Sequence, residues 1–592
     1  MPLRPVGSSW VGLGYNQDPI YRGPQAGGAW TKTAFDRMVE RVNYMRPGRV
    51  RIMLNREWFN PLGTVGEYDW DSNAMKNLYR VLEHYRTEKI PVELGMWGVM
   101  PSTDTDPYTH RNTAAVQADL VTELRRRGYT NLIRYNGVNE PNVRQTGVKD
   151  YRYADWVTAT KKLRNAFEER DLPTNLIGGP DTGEAPISAY DGDLGLEAVP
   201  GNAGAAQEQR LTWSTPELTG FTARFYASTP DVHDWEFYGS PDRRAWTKIE
   251  VTHTPGPDGG TVADNPRYRT DTSGTQIPRG TQFLRLVMPA HPGVDRAISV
   301  LDATVGTGTF TDPMNNLRLT ESHTGGWIHP SDKEDPTVND WWLEAAMEER
   351  VRVGGLETHF YTREVDLNAA PDYPEAVLAN AVGQIRAARS GVPIILGETG
   401  MKAPELPGGV KDYRFVSEYA HGVRMADLAV QEARAGVDGA LAWCLDGYQP
   451  ETQCGMWDHF QADDDKQLRP WFYTWSLLSR YLPAGSTMYA PDDPADVRVL
   501  VAKLPQPAGG WTFVLVNRGN RTASVPITAP TGEIIMDKYV YSPSKAPTDP
   551  ATGFPVSDGQ VRGTFDTGRP VSVAADSVVV LTTRLEPEPD RP

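Results

Sequence analysis

The sequence has very little cysteine, no long apolar run and no excess of positive charge. Only two cysteines, Cys444 and Cys454, occur among 592 residues, too few for a disulfide scaffold or a cysteine-rich metal site. The sequence leaves a local disulfide and two thiols equally open. No apolar stretch approaches the roughly 20 residues that a membrane helix requires, so no membrane partner is expected.

The formal net charge is −16 at pH 7, which argues against nucleic acid as a partner because two polyanions repel each other. The first ten residues, MPLRPVGSSW, lack the charged-then-apolar layout of a signal peptide. Two interpretations remain: a secreted protein whose leader is absent from this sequence, which we favour, and a cytoplasmic protein. The sequence gives no indication of oligomeric state.

Several catalytic motifs are also missing from the sequence. It contains no Walker-type phosphate loop and no Gly-x-Ser-x-Gly elbow, so phosphoryl transfer and serine-ester chemistry have no support. The ten histidines are scattered, without a His-x-His pair. A metal-dependent barrel hydrolase would need clustered ligands at strand ends. We therefore expect no metal and no cofactor.

Aromatic residues are abundant, with 17 Trp and 25 Tyr. Most of them are explained by ordinary core packing. Flat aromatic faces also suit the apolar C–H faces of sugars, so a minority is expected to contact a carbohydrate ligand.

Short apolar strands alternate with amphipathic helices from about residue 10 to 185, and the alternation resumes after about residue 325. Such a pattern indicates parallel βαβ units. Five strands precede the interruption and three follow it, and eight βα units close into a barrel. The interruption itself consists of short β-like segments separated by Gly-, Pro- and Asp-rich turns, which is typical of a sandwich.

The predicted fold class is therefore α/β: a (β/α)8 TIM barrel with an all-β sandwich inserted after strand five and a second all-β sandwich at the C-terminus. The predicted divisions are residues 1–185 and 326–485 for the barrel, 186–325 for the inserted sandwich, 486–585 for the C-terminal sandwich, and 586–592 for a disordered tail.

Two glutamates follow predicted barrel strands, and active sites of such barrels lie at the carboxyl ends of their strands. Glu140, in NGVNEPN, ends the fourth strand, and Glu398, in IILGETG, ends the seventh. Strands four and seven lie on opposite sides of the barrel mouth, so the two carboxyl groups are expected to face each other. Paired carboxyl groups across a cleft perform glycoside hydrolysis. Each glutamate alone is equally compatible with a solvated turn.

Asn-Glu-Pro after strand four and Glu-Thr-Gly after strand seven closely resemble the motifs of clan A retaining glycoside hydrolases. The resemblance covers the whole barrel. It implies that Glu140 is the acid/base and Glu398 the nucleophile, and that Asn139 binds the sugar 2-hydroxyl. In retaining enzymes the two carboxyl groups stand about 5–5.5 Å apart, so we expect that spacing here.

The same resemblance assigns roles to residues on other strands. Arg51 on strand two matches an arginine beside the nucleophile, and His359 and Tyr361 on strand six match sugar-contacting and nucleophile-orienting groups. Trp443 on strand eight matches the aromatic floor of the sugar site. We expect Arg51 and Tyr361 to keep the pKa of Glu398 low. Structural roles in the barrel remain open for Arg51, His359 and Trp443.

Further residues at strand ends stay ambiguous between substrate contact and structure. Trp97, after strand three, either lines a subsite or caps the barrel. The same uncertainty applies to Asp181 after strand five, Asp446 after strand eight, and Arg56 and Trp58 after strand two.

The predicted insert carries a weaker resemblance. WEFYGSPDRRAWTKIEV resembles a hairpin of discoidin-like (coagulation factor 5/8 type) sandwiches, with Ser240, Asp242 and Trp246 as the matching residues. Such modules often bind sugars, which implies a carbohydrate-binding module. The alternative is a domain that only walls the active-site cleft or mediates oligomer contacts.

The sequence thus predicts a retaining glycoside hydrolase that acts through a covalent glycosyl-enzyme on an oligo- or polysaccharide. An exo-acting enzyme, or one that cleaves branches of a complex plant or microbial glycan, is expected from the large insert. A transglycosylase with the same site is the first alternative. A non-catalytic carbohydrate-binding barrel is the second, and it belongs to a different functional class.

Overall fold

The fold is described from a computed structural model. The residues that the structure describes are 5–7, 10–17, 31–97, 113–141, 153–183, 209–214, 218–227, 233–241, 245–256, 265–274, 277–289, 296–305, 308–310, 318–322, 341–362, 364, 367, 372–406, 410–446, 454–457, 467–494, 497–507, 509–528, 533–564 and 568–585. The predicted boundaries near 185 and 325 and the predicted tail 586–592 lie outside these residues. The division into domains therefore stays a prediction.

Seven parallel strands form the wall of the barrel, and their side chains are almost all buried. In chain order these strands are Gly12–Gln17, Arg49–Leu54, Val92–Met96, Leu132–Asn136, Leu356–Thr362, Ile394–Met401 and Gly439–Ala442. They are barrel strands one to four and six to eight. The first strand pairs in parallel with the eighth, as in Leu13 with Ala440, so the sheet curls back on itself.

The fifth barrel strand is a short segment, residues 177–182, held by two isolated parallel bridges. Ile177 pairs with Tyr135 of strand four, and Thr182 pairs with Thr358 of strand six. Backbone hydrogen bonds support both junctions, including His359 N–H to the Thr182 carbonyl at 2.6 Å. This segment completes the eight-stranded barrel, and the predicted fold class is confirmed.

Helices follow the strands and bury one apolar face against the barrel. They are Lys32–Met45, Asn73–Thr87, Ala114–Arg126, Tyr153–Glu168, Trp341–Met347, Tyr373–Ala388, Tyr419–Arg434 and Pro470–Tyr481, with short 3-10 turns at Arg56–Trp58, Thr174–Leu176 and Tyr413–Ser417. The first three helices begin after Thr31, Ser72 and Thr113, whose hydroxyl oxygens accept a hydrogen bond from the backbone N–H three residues on. Such caps satisfy a donor that the helix leaves unpaired.

Two five-stranded antiparallel sheets lie between barrel strands five and six. One contains Leu218–Ala227, Val251–Gly256, Asn265–Ser273, Arg296–Val305 and Gly308–Phe310, and the other contains Gln209–Ser214, Glu236–Ser240, Thr247–Ile249, Phe283–Met288 and Arg318–Ser322. Phe221 and Phe225 of the first sheet pack on Phe237 of the second, with ring centroids 4.6 and 5.9 Å apart. The insert is therefore two sheets packed face to face.

The hairpin singled out in the insert pairs Glu236–Ser240 with Thr247–Ile249. Ser240 is buried, and the Trp246 ring lies under the Arg285 guanidinium at 3.8 Å. Asp242 lies outside the described residues. Because Arg285 covers one face of Trp246, a sugar could stack only on the other face. The likeness to discoidin-like modules stays a prediction.

The C-terminal region forms a seven-stranded antiparallel sheet with a two-stranded sheet beside it. The large sheet contains Pro5–Gly7, Thr487–Tyr489, Val497–Lys503, Trp511–Asn517, Glu533–Tyr541, Gln560–Thr564 and Ser577–Thr582, and the small one contains Ala523–Ile527 and Arg569–Val573. The N-terminal strand Pro5–Gly7 pairs with Thr487–Tyr489, so the start of the chain contributes to this sheet.

Polar contacts attach this sheet to the last barrel helix, Pro470–Tyr481. Tyr473 donates a hydrogen bond to the Val540 carbonyl at 3.0 Å, and the hydroxyls of Tyr481 and Tyr539 lie 2.6 Å apart. No helix in the described ranges has the length and apolar character to cross a bilayer.

Candidate active site

The carboxyl ends of the barrel strands bring a set of polar side chains together at one mouth of the barrel. We call this set the mouth cluster, and it contains Arg51, Asn139, Glu140, Asp181, His359, Tyr361 and Glu398. All except Glu140 and Tyr361 are buried. Six of these seven residues are site residues predicted from the sequence. The seventh, Asp181, has no definite role in the sequence prediction.

Arg51 lies at the centre of the cluster, and its guanidinium joins four strand ends. It donates hydrogen bonds to Glu398 Oε1 at 2.9 Å, to Asn139 Oδ1 at 2.7 Å and to Asn16 Oδ1 at 2.9 Å, and it also pairs with Asp181. Burial opposes its charge, but the surrounding carboxylates outweigh burial and raise the pKa of Arg51 above its usual value. Arg51 is a fixed cation.

Glu398 is the fifth residue of strand seven, Ile394–Met401, and its side chain is surrounded by hydrogen-bond donors. Tyr361 donates a hydrogen bond to Oε2 at 2.7 Å, Arg51 donates to Oε1, and His359 Nδ1 lies 3.4 Å from Oε2. Burial nevertheless raises the pKa of Glu398, and the lowering by His359 and Arg51 does not cancel it. The prediction that its neighbours keep this pKa low is therefore wrong in its net direction, because burial is the larger effect.

Glu140 is the accessible member of the pair, with its side chain 25% exposed. Its backbone has a φ of 46°, in the left-handed region that non-glycine residues seldom adopt. The Glu140 N–H donates to the Asp181 carbonyl at 3.1 Å, which holds this conformation. Because unusual backbone geometry is often found at functional sites, it marks Glu140 as a candidate rather than an ordinary turn residue.

His359 lies between the two glutamates and a third carboxylate. Its Nδ1 is 2.9 Å from Glu140 Oε1, and its Nε2 is 3.0 Å from Asp181 Oδ1. Burial lowers the pKa of His359, but Glu398 and Asp181 outweigh burial and raise it to about 10. The imidazole is therefore a cation at neutral pH and donates through both nitrogens.

Glu140, His359 and Glu398 each present one atom such that the three atoms lie within 4.8 Å of one another. This is the one cluster in the described ranges with the spacing of metal ligands. A protonated His359 Nδ1, hydrogen-bonded to Glu140, has no lone pair to offer a metal ion. We therefore interpret the cluster as hydrogen-bonded side chains.

Two tryptophans predicted at the mouth contact each other. The rings of Trp97, after strand three, and Trp443, after strand eight, meet edge to face with centroids 5.9 Å apart and an interplanar angle of 87°. Both are half-buried. Each ring therefore keeps part of its surface available at the mouth.

The sequence motifs do not identify Asn16, and they leave the role of Asp181 open between substrate contact and structure. Asn16 ends strand one, where its amide donates to the Gly397 carbonyl at 2.8 Å and its Oδ1 accepts from Arg51. Asp181 ends strand five and pairs with both Arg51 and His359. Their position at strand ends is the same signal that identified Glu140 and Glu398.

A second set of charges lies one step deeper in the barrel, and we call it the inner layer. Its members are Arg49, Glu93, Arg134, Asn136 and Glu357. Asn136 donates to Glu93 Oε1 at 2.8 Å and also to Glu357, while Arg134 Nε is 3.3 Å from Glu357 Oε1. Burial, with the charge of Glu93, raises the pKa of Glu357 well above its usual range.

The two cysteines lie beside the mouth without forming a disulfide. Their Sγ atoms are 3.3 Å apart, and Cys444 directly follows Trp443. Sulfur atoms in a disulfide are about 2.05 Å apart. Of the two possibilities that the sequence left open, the structure contains thiols.

Comparisons with known proteins are consistent with this geometry. No family model matches the chain, and no curated protein matches it in sequence. The chain resembles the catalytic domain of GH30 xylanase C from Talaromyces cellulolyticus (10% identity, 98% of both chains, TM-score 0.51). It is also similar to a glucosidase from Croceicoccus marinus (9%, 98% of both chains, 0.51) and an α-L-arabinofuranosidase from Thermotoga maritima (10%, 98% of this chain and 97% of that one, 0.50).

At these identities the likeness concerns the fold. It confirms the predicted α/β barrel with additional β domains over nearly the whole chain.

Proposed function

We propose that this protein is a retaining glycoside hydrolase, with Glu398 as nucleophile and Glu140 as acid/base. The observation that carries the proposal is the convergence of the two glutamates: an oxygen of each lies within 4.8 Å of the other and of His359 Nδ1. Retaining enzymes place their carboxyl groups about 5–5.5 Å apart, whereas inverting enzymes need about 6.5–9.5 Å to admit a water molecule.

The first step is attack of Glu398 on the anomeric carbon. The donors Arg51 and Tyr361 hold this carboxylate in place, so that one oxygen can form the bond to the sugar. Glu140 protonates the departing glycosidic oxygen as its bond to the anomeric carbon breaks. The products of this step are a glycosyl ester on Glu398, a Glu140 carboxylate and the released alcohol.

The second step hydrolyses the ester with the same two groups. The Glu140 carboxylate takes a proton from water, whose oxygen attacks the anomeric carbon and displaces Glu398. Two inversions give net retention, and both glutamates return to their starting protonation states. The partial exposure of Glu140 suits this role because water must reach it.

The substrate is a carbohydrate, bound through the polar and aromatic groups around the pair. Asn139, whose Oδ1 is fixed by Arg51, is suited to the sugar 2-hydroxyl. Trp443 and Trp97 offer apolar surface to a sugar ring. The solved structures that the fold resembles include proteins named as a xylanase, a glucosidase and an arabinofuranosidase, so non-reducing ends or branches of a complex glycan are the first substrates to test.

The test is a screen of aryl glycosides and of plant and bacterial polysaccharides, with NMR of the first-formed anomer. We expect hydrolysis of at least one glycoside with retention of configuration. Accumulation of new glycosides at high acceptor concentration would instead identify a transglycosylase. Binding of a sugar without turnover would identify a carbohydrate-binding barrel, and an inverted first product would contradict the proposed mechanism.

A further inference from the structure

Asp181 is a buried carboxylate in the mouth cluster that takes no part in the two steps above. It ends the fifth strand segment, and both of its oxygens are engaged. Oδ2 pairs with Arg51, and Oδ1 lies 3.0 Å from His359 Nε2. Arg51 and His359 lower the pKa of Asp181 although burial acts in the opposite direction, so the group is ionised.

An ionised carboxylate only accepts hydrogen bonds, which decides where His359 carries its hydrogen. The His359 Nε2 facing Asp181 must be protonated. The other nitrogen, Nδ1, then faces Glu140 Oε1 at 2.9 Å whether or not it holds a proton. Asp181 therefore selects both the tautomer and the orientation of the ring that touches the acid/base candidate.

The backbone around Asp181 is built to hold this arrangement. Asp181 has a φ of 52°, and its carbonyl accepts the N–H of Glu140 at 3.1 Å. The next residue, Thr182, accepts the N–H of His359 at 2.6 Å. Gly397 leaves room for the pair, because a Cβ at that position would come within 2.6 Å of Asp181 Oδ1. One short segment thus fixes Glu140 and His359 relative to each other.

We propose, on the basis of the proposed function, that Asp181 is a positioning residue for the acid/base step. It fixes His359 so that Nδ1 and Glu140 share one proton. When the proton is on Glu140, it is available to the departing oxygen, and His359 is neutral with Nε2–H donated to Asp181. The proton that water releases in the second step returns to the same pair, so no charge accumulates.

The charged and titratable groups that face His359 come from several strands. Glu140, Asp181 and Glu398 approach it from strands four, five and seven. Arg51 reaches it through Asp181 and Glu398, and Tyr361 lies on the same strand. Of these groups, Asp181 is the one that contacts Nε2, so its replacement changes the imidazole without removing a proposed catalytic glutamate.

The first test is NMR of the full-length protein labelled with [15N]histidine, with His359→Gln to assign the signal. In the wild type we expect both ring nitrogens protonated at pH 7. Above about pH 10 the proton should leave Nδ1 while Nε2 keeps its hydrogen. A ring that lacks the Nε2 hydrogen at pH 7, or that loses it before the Nδ1 proton, would overturn the inference. This test requires neither a variant of Asp181 nor a substrate.

The second test is Asp181→Asn, compared with Asp438→Asn. Asp438 is also a buried aspartate paired with an arginine, Arg386, but it lies before strand eight, at the other end of the barrel. Removing a contacting carboxylate should lower the titration midpoint of His359 by about 1–3 pH units, whereas Asp438→Asn should leave it unchanged. An unshifted midpoint in Asp181→Asn would contradict the inference.

Kinetics separate positioning from a purely structural role. For Asp181→Asn, kcat/KM should fall at least tenfold on glycosides with poor leaving groups and little on a 2,4-dinitrophenyl glycoside, which needs no proton. In the pH profile of kcat/KM for this variant, the alkaline limb should move to lower pH together with the titration midpoint of His359. Equal losses on both substrates, without a moved limb, would overturn the proposal.

These experiments distinguish a failure of the proposed glycoside hydrolase function from a failure of the role proposed for Asp181. A wild type that hydrolyses no glycoside, but shows the expected NMR titration and its change in Asp181→Asn, would overturn the proposed function and the acid/base step. The assignment of Asp181 as the residue that fixes His359 would stand.

Discussion

The mouth cluster and the inner layer are two sets of buried charges in the same barrel, one step apart along the strands. Arg49 and Arg51 lie two residues apart on strand two, and Glu357 and His359 lie two residues apart on strand six. Residues two apart on a strand point to the same face, so the first of each pair belongs to the inner layer and the second to the mouth cluster. The inner layer is sealed, whereas the mouth cluster reaches solvent through Glu140. Buried charge alone therefore does not distinguish a site from a structural network, and access does.

The two layers also differ in how their carboxyl groups are compensated. Glu398 has Arg51, His359 and Tyr361 around it. In the inner layer, Glu357 lies near a second carboxylate, Glu93, and burial raises its pKa well above the usual range. Burial raises the pKa of both glutamates, but at the mouth His359 and Arg51 act against burial, whereas in the inner layer the charge of Glu93 adds to it.

The largest expected effect is that of Glu398→Gln. Removal of the nucleophile should lower kcat by about 10⁴-fold or more. The melting temperature should change by only a few degrees, because Arg51 keeps Asp181 and Asn139 as partners. Steady-state kinetics and thermal unfolding measure both effects. Retention of more than a tenth of the wild-type kcat would exclude Glu398 as the nucleophile.

The next effect is that of Glu140→Ala. Loss of the acid/base should reduce kcat/KM about 10²–10⁴-fold on poor leaving groups and much less on a 2,4-dinitrophenyl glycoside. Azide needs no base, so it should restore turnover of the activated substrate and give a glycosyl azide of retained configuration. Product NMR with and without azide measures this. Equal losses on all leaving groups and no azide product would contradict the role.

For a substitution in the inner layer we expect a lower free energy of unfolding and an unchanged kcat. Arg134→Ala removes a buried cation from Glu357 and a 2.9 Å hydrogen bond to the Asn175 carbonyl, which should cost about 3–5 kcal/mol of unfolding free energy. The kcat of the folded protein should not change. Urea unfolding and kinetics measure these two quantities.

The matched control for that variant is Arg164→Ala. Arg164 forms a largely exposed pair with Glu168, 3.2 Å away on the same helix, so its removal should change stability by no more than about 0.5 kcal/mol. A large fall in kcat for Arg134→Ala, with stability intact, would show that the inner layer takes part in catalysis.

The smallest effect on activity is expected for Glu432→Gln, which should change stability alone. Glu432 accepts a hydrogen bond from Thr399, and burial raises its pKa to about 8. Between about pH 4.3 and 8 the unfolded chain has lost this proton while the folded protein keeps it, so the wild type loses stability as the pH rises.

Glutamine does not titrate, so Glu432→Gln should lack this loss and gain on the wild type by about 1.4 kcal/mol per pH unit, up to roughly 5 kcal/mol between about pH 4.3 and 8. Activity should be unchanged. Urea unfolding at several pH values tests the prediction. Parallel stability curves for the two proteins would show that Glu432 is ionised, and that burial without a cation does not suppress charge in this barrel.

The sequence predicted the barrel because strand and helix periodicities alternate clearly. It also predicted Glu140 and Glu398, because polar residues directly after apolar strands are easily recognised. Asp181 was harder to assign: its strand is only a short bridged segment, and an aspartate after Gly-Gly-Pro is also typical of a turn.

Other features depend on three-dimensional contacts that no local pattern contains. Glu93 and Glu357 lie inside strands, and their partners are determined by barrel closure. The raised pKa of Glu398 depends on its depth of burial. The pairing of Pro5–Gly7 with Thr487–Tyr489 joins segments almost 500 residues apart.

The most direct test of the account is to trap the covalent intermediate. The protein would be incubated with the 2-deoxy-2-fluoro dinitrophenyl glycoside of the sugar found in the screen, digested, and mapped by mass spectrometry. We expect one fluoroglycosyl group per chain, attached to Glu398. A label on any other residue, or hydrolysis of the natural glycoside without a trappable ester and with inversion, would contradict it.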